Sequence, residues 1–432
     1  MQKTRFERAE EGGLRIHVLP TDRFKTYAVS MYIGSPLTEE TVTPHALIPF
    51  VLRRGNRAYT ETKAFREKLD ELYGAGFGFD IYKRANNQIV QFRMDTIADR
   101  YTGAAEDADL LRETLTFLLQ TVGDPALENN GFLNKYVDAE KVTVHKRLEA
   151  IINDKARYAA ERCTQEMFAN DAFRFNALGR MDAIEKLEAR TLYESYLSWI
   201  SRAQIDLYVV GDTNLSKVLE IVKPLWKQKH AEKMVYQFGD ERYASRQEVN
   251  EVIERLDVNQ GKLNMGLRVP IYYPDEIYPA AMMYNGILGS YPHSKLFINV
   301  REKASLAYYA SSRLDGYKGM LMIQSGIEIA NYKQAVEIIK EQLNAIADEQ
   351  ISDLEMDQTK AMMTNQLNEV NDSAFEIIAL DFNAVLTGTE RTVESIISAI
   401  SKVTKPQIAD IAQQVKLDTI YFLRDRKGEK SE

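Results

Sequence analysis

Cysteine is almost absent from this sequence, with Cys163 the only one among 432 residues. A single cysteine excludes an internal disulfide framework and is typical of proteins in a reducing compartment. Long apolar runs are missing as well, so no membrane-spanning helix is expected. The first thirteen residues, MQKTRFERAEEGG, are charged throughout and carry no apolar targeting segment. We therefore predict a soluble cytoplasmic protein without a membrane partner.

Extended blocks of basic residues are also lacking. The chain has 55 lysines and arginines against 63 aspartates and glutamates, a net charge of -8 that is spread without single-sign runs. Nucleic acids and anionic membranes both require a basic protein surface. The charge pattern therefore argues against either of them as the main partner.

Histidine is scarce and badly spaced for a metal site. A helical zinc motif needs two imidazoles one turn apart on the same face. Here the nearest two histidines are 28 positions apart. We expect each histidine to be a surface or packing residue, and nothing in the sequence marks a site assembled from distant ligands. The five are His17, His45, His145, His230 and His293.

Signatures of covalent catalysis and phosphate binding are missing too. The chain contains no G-x-S-x-G motif, and Cys163 lies in the helical pattern AERCTQEMF, where a thiol is usually a packed apolar group. The glycines at 74, 76 and 78 lack the lysine and hydroxyl residue of a phosphate-binding loop and precede a strand. The sequence thus offers no nucleophile and no nucleotide site.

The order of secondary-structure elements occurs twice along the chain, at an offset of roughly 215 residues, about one domain length. In the first half, the patterns predict strands at 14–20, 27–34, 77–84, 87–95 and 205–212, and helices at 44–55, 64–72, 110–122 and 138–153. In the second half, they predict strands at 262–270, 308–314, 319–327 and 419–425, and helices at 279–290, 332–346 and 353–370. We predict an α+β fold of two homologous domains, each an antiparallel sheet covered by helices, with domains at 1–215 and 251–432 and a linker at 216–250.

One segment of the second half combines residues suited to binding a peptide. SKLFINVREKASLAYYASSRL, residues 294–314, predicts a helix carrying Arg301, a short turn and a strand that opens at Tyr308. A guanidinium beside a phenol can bind a peptide carbonyl or stabilise an oxyanion. From spacing alone, the plainer alternative is favoured: Arg301 pairs with a nearby carboxylate and the tyrosine packs in the core.

Taken together, these patterns resemble the pitrilysin/insulinase family of zinc metallopeptidases, in its processing-peptidase-like branch of two-domain, clamshell-forming subunits. Active members carry an H-x-x-E-H motif followed by an apolar stretch and a glycine. Counting back from Gly55, the two ligand positions fall on Ala46 and Phe50, and the general-base position falls on Pro49. A register that begins at His45 keeps one histidine but places Ile48 and Pro49 at the other two positions. Either register lacks the zinc motif.

The family's third zinc ligand is a glutamate on a later helix, seven residues after another glutamate. AEKVTVHKRLEAI keeps Glu140, but the ligand position is Arg147. A cation would repel the metal, and Glu149 lies on another side of the helix. The resemblance therefore implies that this chain binds no zinc and has no catalytic residues of its own.

The C-terminal half matches the family more closely. The family segment resembles R-E-x-x-x-L-A-Y, and this chain has REKASLAY from Arg301 to Tyr308, with Tyr309 as an adjacent candidate. In two-subunit members, one subunit supplies the zinc motif and the other supplies the Arg/Tyr pair, which helps to hold the substrate backbone. The resemblance implies a non-catalytic subunit that pairs with a zinc-bearing homologue in a heterodimeric metallo-endopeptidase acting on peptides.

Two alternatives remain open from the sequence. The chain could be a peptidase-derived binding or scaffold protein, alone or as a homodimer, or a zinc peptidase with rearranged ligands. An exposed edge strand, for which FGFDIYKR at 77–84 is a candidate, would allow an extended substrate to pair with the sheet.

Overall fold

The structure is a computed structural model that describes residues 5–103, 109–228, 234–238 and 248–426. The chain divides into two units. The first unit consists of Met1–Leu148, Phe175–Gln237 and Ala374–Ala379, and the second consists of Glu149–Arg174, Phe238–Ser373 and Leu380–Glu432. Within the described ranges, no helix is both long and apolar enough to cross a membrane.

Strands and helices are numbered along the whole chain. Up to residue 225 they are β1 (Glu7–Glu11), β2 (Leu14–Pro20), β3 (Thr26–Pro36), α1 (Glu39–Leu52), α2 (Thr62–Glu71), β4 (Gly76–Arg84), β5 (Asn87–Ile97), α3 (Leu110–Gly123), β6 (Leu127–Glu128), β7 (Gly131–Phe132), α4 (Asn134–Asn153), α5 (Lys155–Met167), α6 (Met181–Glu185), α7 (Ala189–Arg202), β8 (Gln204–Gly211) and α8 (Leu215–Leu225). After residue 248 they are β9 (Asn250–Arg255), β10 (Gly261–Arg268), α9 (Tyr278–Asn285), β11 (Ala307–Asp315), β12 (Met320–Ile327), α10 (Tyr332–Ala347), α11 (Asp353–Val370), α12 (Ala374–Thr387), α13 (Val393–Ser401), α14 (Lys405–Gln414) and β13 (Lys416–Arg424). Two π-helical turns, Gly286–Ser290 and Phe297–Lys303, follow α9.

The main sheet of the first unit has the strand order β1-β2-β8-β3-β5-β4. Its pairings are antiparallel except for β2 with β8, which run parallel. Nearly every residue of β3 is buried, which means that both faces of the sheet are covered at its centre. Strand β4, which contains the segment 77–84, lies at the end of the sheet, as the edge-pairing hypothesis requires.

The sheet of the second unit repeats this arrangement. Its order is β11-β12-β10-β13-β9, and again one pair, β9 with β13, is parallel while the others are antiparallel. Strand β11 therefore occupies the same end position as β4 in the first unit. The repeated topology confirms the two homologous α+β domains, with sheets that are antiparallel-rich rather than wholly antiparallel.

The units differ from the predicted division at three places, one of which is Ala374–Ala379, a segment that belongs to the first unit. Residues 149–174 belong to the second unit, where the buried face of α5 (Ala159, Cys163 and Met167) packs against β10 and β13. A Cβ at Gly266 would collide with the sulfur of Met167, so the glycine makes room for this helix. In addition, α8 lies inside the segment 216–250 that was expected to be a linker.

Candidate functional site

Helix α1 carries the positions at which the resemblance places the zinc motif. The hydroxyl of Thr38 caps its N-terminus by accepting a hydrogen bond from the N–H of Thr41 at 3.2 Å. From residue 42 onward every residue is buried, including Ala46, Pro49 and Phe50. A helix that is apolar all round must be covered on every side. These side chains therefore contribute packing and offer no metal ligand.

His45, the histidine beside the motif, is a packing residue. Its ring stacks on Trp199 with 5.3 Å between ring centres, and its Nδ1 lies 3.1 Å from the hydroxyl of Ser35. Burial lowers the pKa of His45 to about 3, so the ring is neutral at physiological pH. This environment agrees with the sequence-based interpretation of His45.

The other histidines that the structure describes do not come together in a metal site. In the described part of the chain, no group of three or more His, Cys, Asp or Glu side chains could hold a metal ion. His17 bonds Asp206, His145 lies 4.0 Å from Glu185, and His293 bonds Thr359. His230 lies outside the described residues.

Phe50 and Arg147 occupy two of the expected ligand positions and contact each other. The guanidinium carbon of Arg147, on α4, lies 4.8 Å from the centre of the Phe50 ring. Arg53, one turn after Phe50, lies over the same ring at 5.3 Å. A pair of guanidinium groups around an aromatic ring excludes zinc at these positions, because the ring has no lone pair to donate and the arginines repel a cation.

Glu140 is completely buried and forms ion pairs with two arginines. Arg54 Nε donates a hydrogen bond to Glu140 Oε1, and Arg53 Nη2 lies 3.4 Å from Glu140 Oε2. A buried carboxylate requires such neutralisation. The sequence analysis predicted a helix over 44–55, which contains Arg53 and Arg54, and assigned neither residue a role. Two adjacent arginines after a wholly apolar helix were the available signal. We call Arg53, Arg54 and Arg147 the arginine cluster.

Arg301 lies on the π-helical turn Phe297–Lys303. Its guanidinium carbon is 4.4 Å from the centre of the Phe297 ring, its Nε is 3.6 Å from Glu302 Oε1, and 41% of its side chain is exposed. Isolated π-helical turns occur frequently at functional sites. The nearby carboxylate agrees with the plainer interpretation of Arg301, yet the side chain remains accessible to a ligand.

Tyr308 lies at the start of β11, on the outer edge of the sheet. Ala307 pairs with Ile327 and Tyr309 pairs with Gly326, so Tyr308 is the extra residue of a β-bulge. It is 64% exposed, and its hydroxyl donates to Glu328 Oε1 at 3.4 Å. The interpretation of Tyr308 as a core residue is therefore wrong.

Tyr309, the neighbouring candidate, differs from Tyr308. Its ring lies against Gly326, where a Cβ would collide with it, and the ammonium of Lys262 is 5.7 Å from the ring centre. Burial raises the pKa of Tyr309. Tyr308 is thus more accessible than Tyr309.

The turn that carries Arg301 adjoins the start of β11, because Leu306 N donates to Val300 O at 3.2 Å.

Two homologous α+β domains, with buried packing residues at the expected position of the helical zinc motif, agree with a protein of the metallopeptidase class that lacks this motif. Residues 186–363 match the sequence family described as the peptidase M16 inactive domain. The chain is 38% identical over 98% of both lengths to the "Probable inactive metalloprotease YmfF" of Bacillus subtilis (strain 168). It is 21% identical, over 94% of both lengths, to the "Uncharacterized zinc protease YmxG" of the same organism.

A solved structure agrees with these sequence relationships. The crystal structure of a conserved protein from Enterococcus faecalis V583 matches with a TM-score of 0.92 and 30% identity, over 99% of this chain and 100% of that chain. The chain therefore belongs to the M16, or pitrilysin/insulinase, family of zinc metallopeptidases. Within that family it is an inactive-type peptidase homologue.

Proposed function

We propose that this chain is a non-catalytic, substrate-binding subunit of a heterodimeric zinc metallo-endopeptidase of the processing-peptidase kind. The observation that carries the proposal is the contrast between the two units. The metal positions of the first unit hold Phe50 and Arg147, whereas the second unit presents Arg301 and an exposed Tyr308 beside a sheet edge.

Each of the two side chains has a defined role in this proposal. The guanidinium of Arg301 binds a carbonyl oxygen of the substrate backbone, and the hydroxyl of Tyr308 donates a hydrogen bond to the oxyanion that develops at the scissile carbonyl. The edge strands β4 and β11 can each pair with an extended peptide. The zinc ion and the general base belong to the partner subunit, a zinc-bearing homologue, and this chain supplies neither.

A second candidate function is a peptide-binding or scaffold protein without any role in hydrolysis. It is favoured by the relative at 38% identity, which is named as a probable inactive metalloprotease and covers the same length. The scaffold function needs no hydrogen-bond donor at the substrate carbonyl. The consequences of removing Arg301 and Tyr308 therefore separate the two functions.

The test is peptide hydrolysis by this chain, by a zinc-bearing homologue from the same organism, and by their mixture. Zinc is determined on each sample by mass spectrometry. We expect cleavage by the mixture alone, and slower cleavage with Arg301→Ala or Tyr308→Phe. If the homologue alone is equally active, or neither substitution has an effect, the paired peptidase is wrong and the scaffold function replaces it. One zinc per molecule of this chain alone would instead indicate a peptidase with rearranged ligands.

Matched controls come from exposed residues elsewhere in the chain. Arg190 has a side chain that is 78% exposed, and among the described residues its one ion pair is with Glu194 at (i, i+4) spacing, so Arg190→Ala removes a similar charge. Tyr73 is 53% exposed, so Tyr73→Phe removes a similar hydroxyl. Both control variants should hydrolyse peptide at the wild-type rate in the mixture.

A further inference from the structure

We propose that the arginine cluster binds a carboxylate group of the peptide ligand. The residues that replace the zinc site would then form a second, electrostatic contact with the ligand, separate from Arg301 and Tyr308. This inference rests on the proposed function for the identity of the ligand as a peptide. The site itself is defined by three guanidinium groups and one carboxylate of the first unit.

The charges of the cluster do not balance. Arg53, Arg54 and Arg147 each carry a positive charge. Within the described residues, the only carboxylate that pairs with any of them is Glu140, which contacts Arg53 and Arg54. The site therefore carries about two excess positive charges at neutral pH. Excess charge of one sign in a partly enclosed site raises the local concentration of ligands of the opposite sign.

Arg147 is the member of the cluster best placed to receive an anion. It is exposed, and in the described part of the chain it makes no ion pair. Its guanidinium carbon lies 4.8 Å from the centre of the Phe50 ring. A guanidinium that packs on an aromatic ring retains its in-plane N–H donors, and the fork of those donors matches the geometry of a carboxylate.

Arg53 and Arg54 remain accessible although they neutralise Glu140. Their side chains are 35% and 28% exposed, whereas Glu140 is fully buried. Arg53 reaches Glu140 only at 3.4 Å, which leaves most of its donors for another acceptor. A ligand carboxylate can therefore share these two arginines with Glu140 without displacing it.

The surroundings of the cluster favour a peptide over a free inorganic anion. Phe50 and Phe79 pack edge to face with 4.8 Å between their ring centres, and Arg53 lies 5.6 Å from the Phe79 ring. Phe79 belongs to β4, the strand at the end of the first sheet. A peptide segment that pairs with β4 would pass beside an aromatic surface and the arginines, so that backbone and carboxylate are bound together.

A carboxylate can come from an acidic side chain or from the peptide C-terminus, and the experiment distinguishes them. The full-length chain, without a partner subunit, is titrated with N-terminally labelled peptides of one core sequence and the binding is measured by fluorescence anisotropy. One peptide has a free C-terminus and no acidic residue, a second is its C-terminal amide, and two further amides carry Glu or Gln at a central position.

We expect at least one carboxylate peptide to bind about tenfold more tightly than its neutral counterpart at low ionic strength, the size of one charged hydrogen bond. Arg147→Gln should remove that preference. Arg66→Gln, which removes an exposed arginine of α2 in the same unit, should preserve it. Equal binding of charged and neutral peptides, or a preference that survives Arg147→Gln, would overturn the inference.

The result is independent of hydrolysis. If the mixture of subunits fails to cleave peptide but this chain selects carboxylates through Arg147, the carboxylate site stands and the paired-peptidase proposal fails. If the mixture cleaves through Arg301 and Tyr308 but carboxylates have no effect on binding, the paired-peptidase proposal stands and the carboxylate site fails. Inorganic phosphate serves as a competitor. Binding of phosphate through Arg147 without any preference among the peptides would also overturn the carboxylate site.

Discussion

Phe50 and Arg147 pack against each other, with 4.8 Å between the guanidinium carbon and the centre of the ring. The family resemblance places zinc ligands at these two positions, one on α1 and one on α4. The contact therefore joins the same two helices that a shared metal ion would join. A cation over an aromatic ring contributes about 0.5–2 kcal/mol, so this contact helps to hold α1 against α4.

The ion pairs of Glu140 should make the loss of an arginine more destabilising than the loss of the carboxylate. Arg54→Met leaves a fully buried carboxylate with Arg53 alone, at 3.4 Å, and should lower the free energy of unfolding by about 3 kcal/mol. Glu140→Gln leaves two arginines that reach water and should cost only about 1 kcal/mol. Urea unfolding followed by circular dichroism measures both values.

The control for this comparison is a surface ion pair. Arg57 and Asp124 have side chains that are 74% and 46% exposed, so Arg57→Met should change the free energy of unfolding by less than about 0.5 kcal/mol. If Glu140→Gln lowers the free energy of unfolding more than Arg54→Met does, the buried carboxylate does not depend on Arg54 for its neutralisation.

The order of strands and helices could be predicted from the sequence because apolar periodicity is a local property. Strand β2 was predicted with its observed bounds, and the repeat was visible at an offset of roughly one domain. The assignment of residues 149–174 to the second unit could not be predicted in this way. It depends on tertiary packing of α5, for which the sequence signal is one glycine, Gly266, opposite Met167.

Some features of the candidate site could also be predicted from the sequence, whereas others depend on tertiary structure. The absence of a zinc motif and the Arg301–Tyr308 segment are visible in the sequence, because both are short patterns with fixed spacing. The exposure of Tyr308 depends on a β-bulge, and a one-residue shift in pairing leaves no local signature. The ion pairs of Glu140 join residues 86 and 87 positions apart, a distance that no single sequence pattern reports.

Burial of His45 predicts a loss of stability in mild acid. Its pKa is about 3 in the folded chain and about 6.5 when unfolded. Between these values the unfolded chain binds a proton and the folded chain does not, so this contribution is complete above about pH 6.5 and declines as the pH falls toward 3. At pH 5, the expected loss from this group relative to pH 8 is about 2 kcal/mol.

Urea unfolding at pH 8 and pH 5 measures this contribution. His45→Gln should reduce the difference between the two pH values by about 2 kcal/mol, because glutamine does not titrate. If the pH dependence is unchanged in His45→Gln, the His45 ring must bind a proton at pH 5 in the folded chain as it does in the unfolded chain.

Arg301 and Tyr308 should affect activity without affecting stability. Tyr308 is 64% exposed and its hydroxyl bonds Glu328 at 3.4 Å, so Tyr308→Phe should change the free energy of unfolding by less than about 0.5 kcal/mol. In the mixture with the zinc-bearing homologue, loss of an oxyanion donor should reduce kcat by about tenfold or more.

Arg301→Gln should lower the free energy of unfolding by at most about 1 kcal/mol, because it removes the contact of Arg301 with Phe297. A fall in activity that parallels a fall in stability would indicate a structural role instead.

Tyr236 anchors the segment 234–238 on the first sheet, and Gly34 provides the space for its ring. The Tyr236 hydroxyl donates to Asp206 Oδ2 at 2.7 Å. A Cβ at Gly34 would collide with the Tyr236 ring and with the end of the Ile89 side chain. Gly34→Ala should therefore lower the free energy of unfolding by about 2 kcal/mol.

A double-mutant cycle separates this collision from the general effect of alanine in a strand. In a Tyr236→Ala background the ring is gone, so Gly34→Ala should cost at least about 1 kcal/mol less than it does in the wild type. Gly78→Ala is the matched control, because Gly78 lies in β4 of the same sheet and a Cβ there meets no atom within 4 Å. If Gly34→Ala costs the same with and without the Tyr236 ring, the ring does not occupy the space above Gly34.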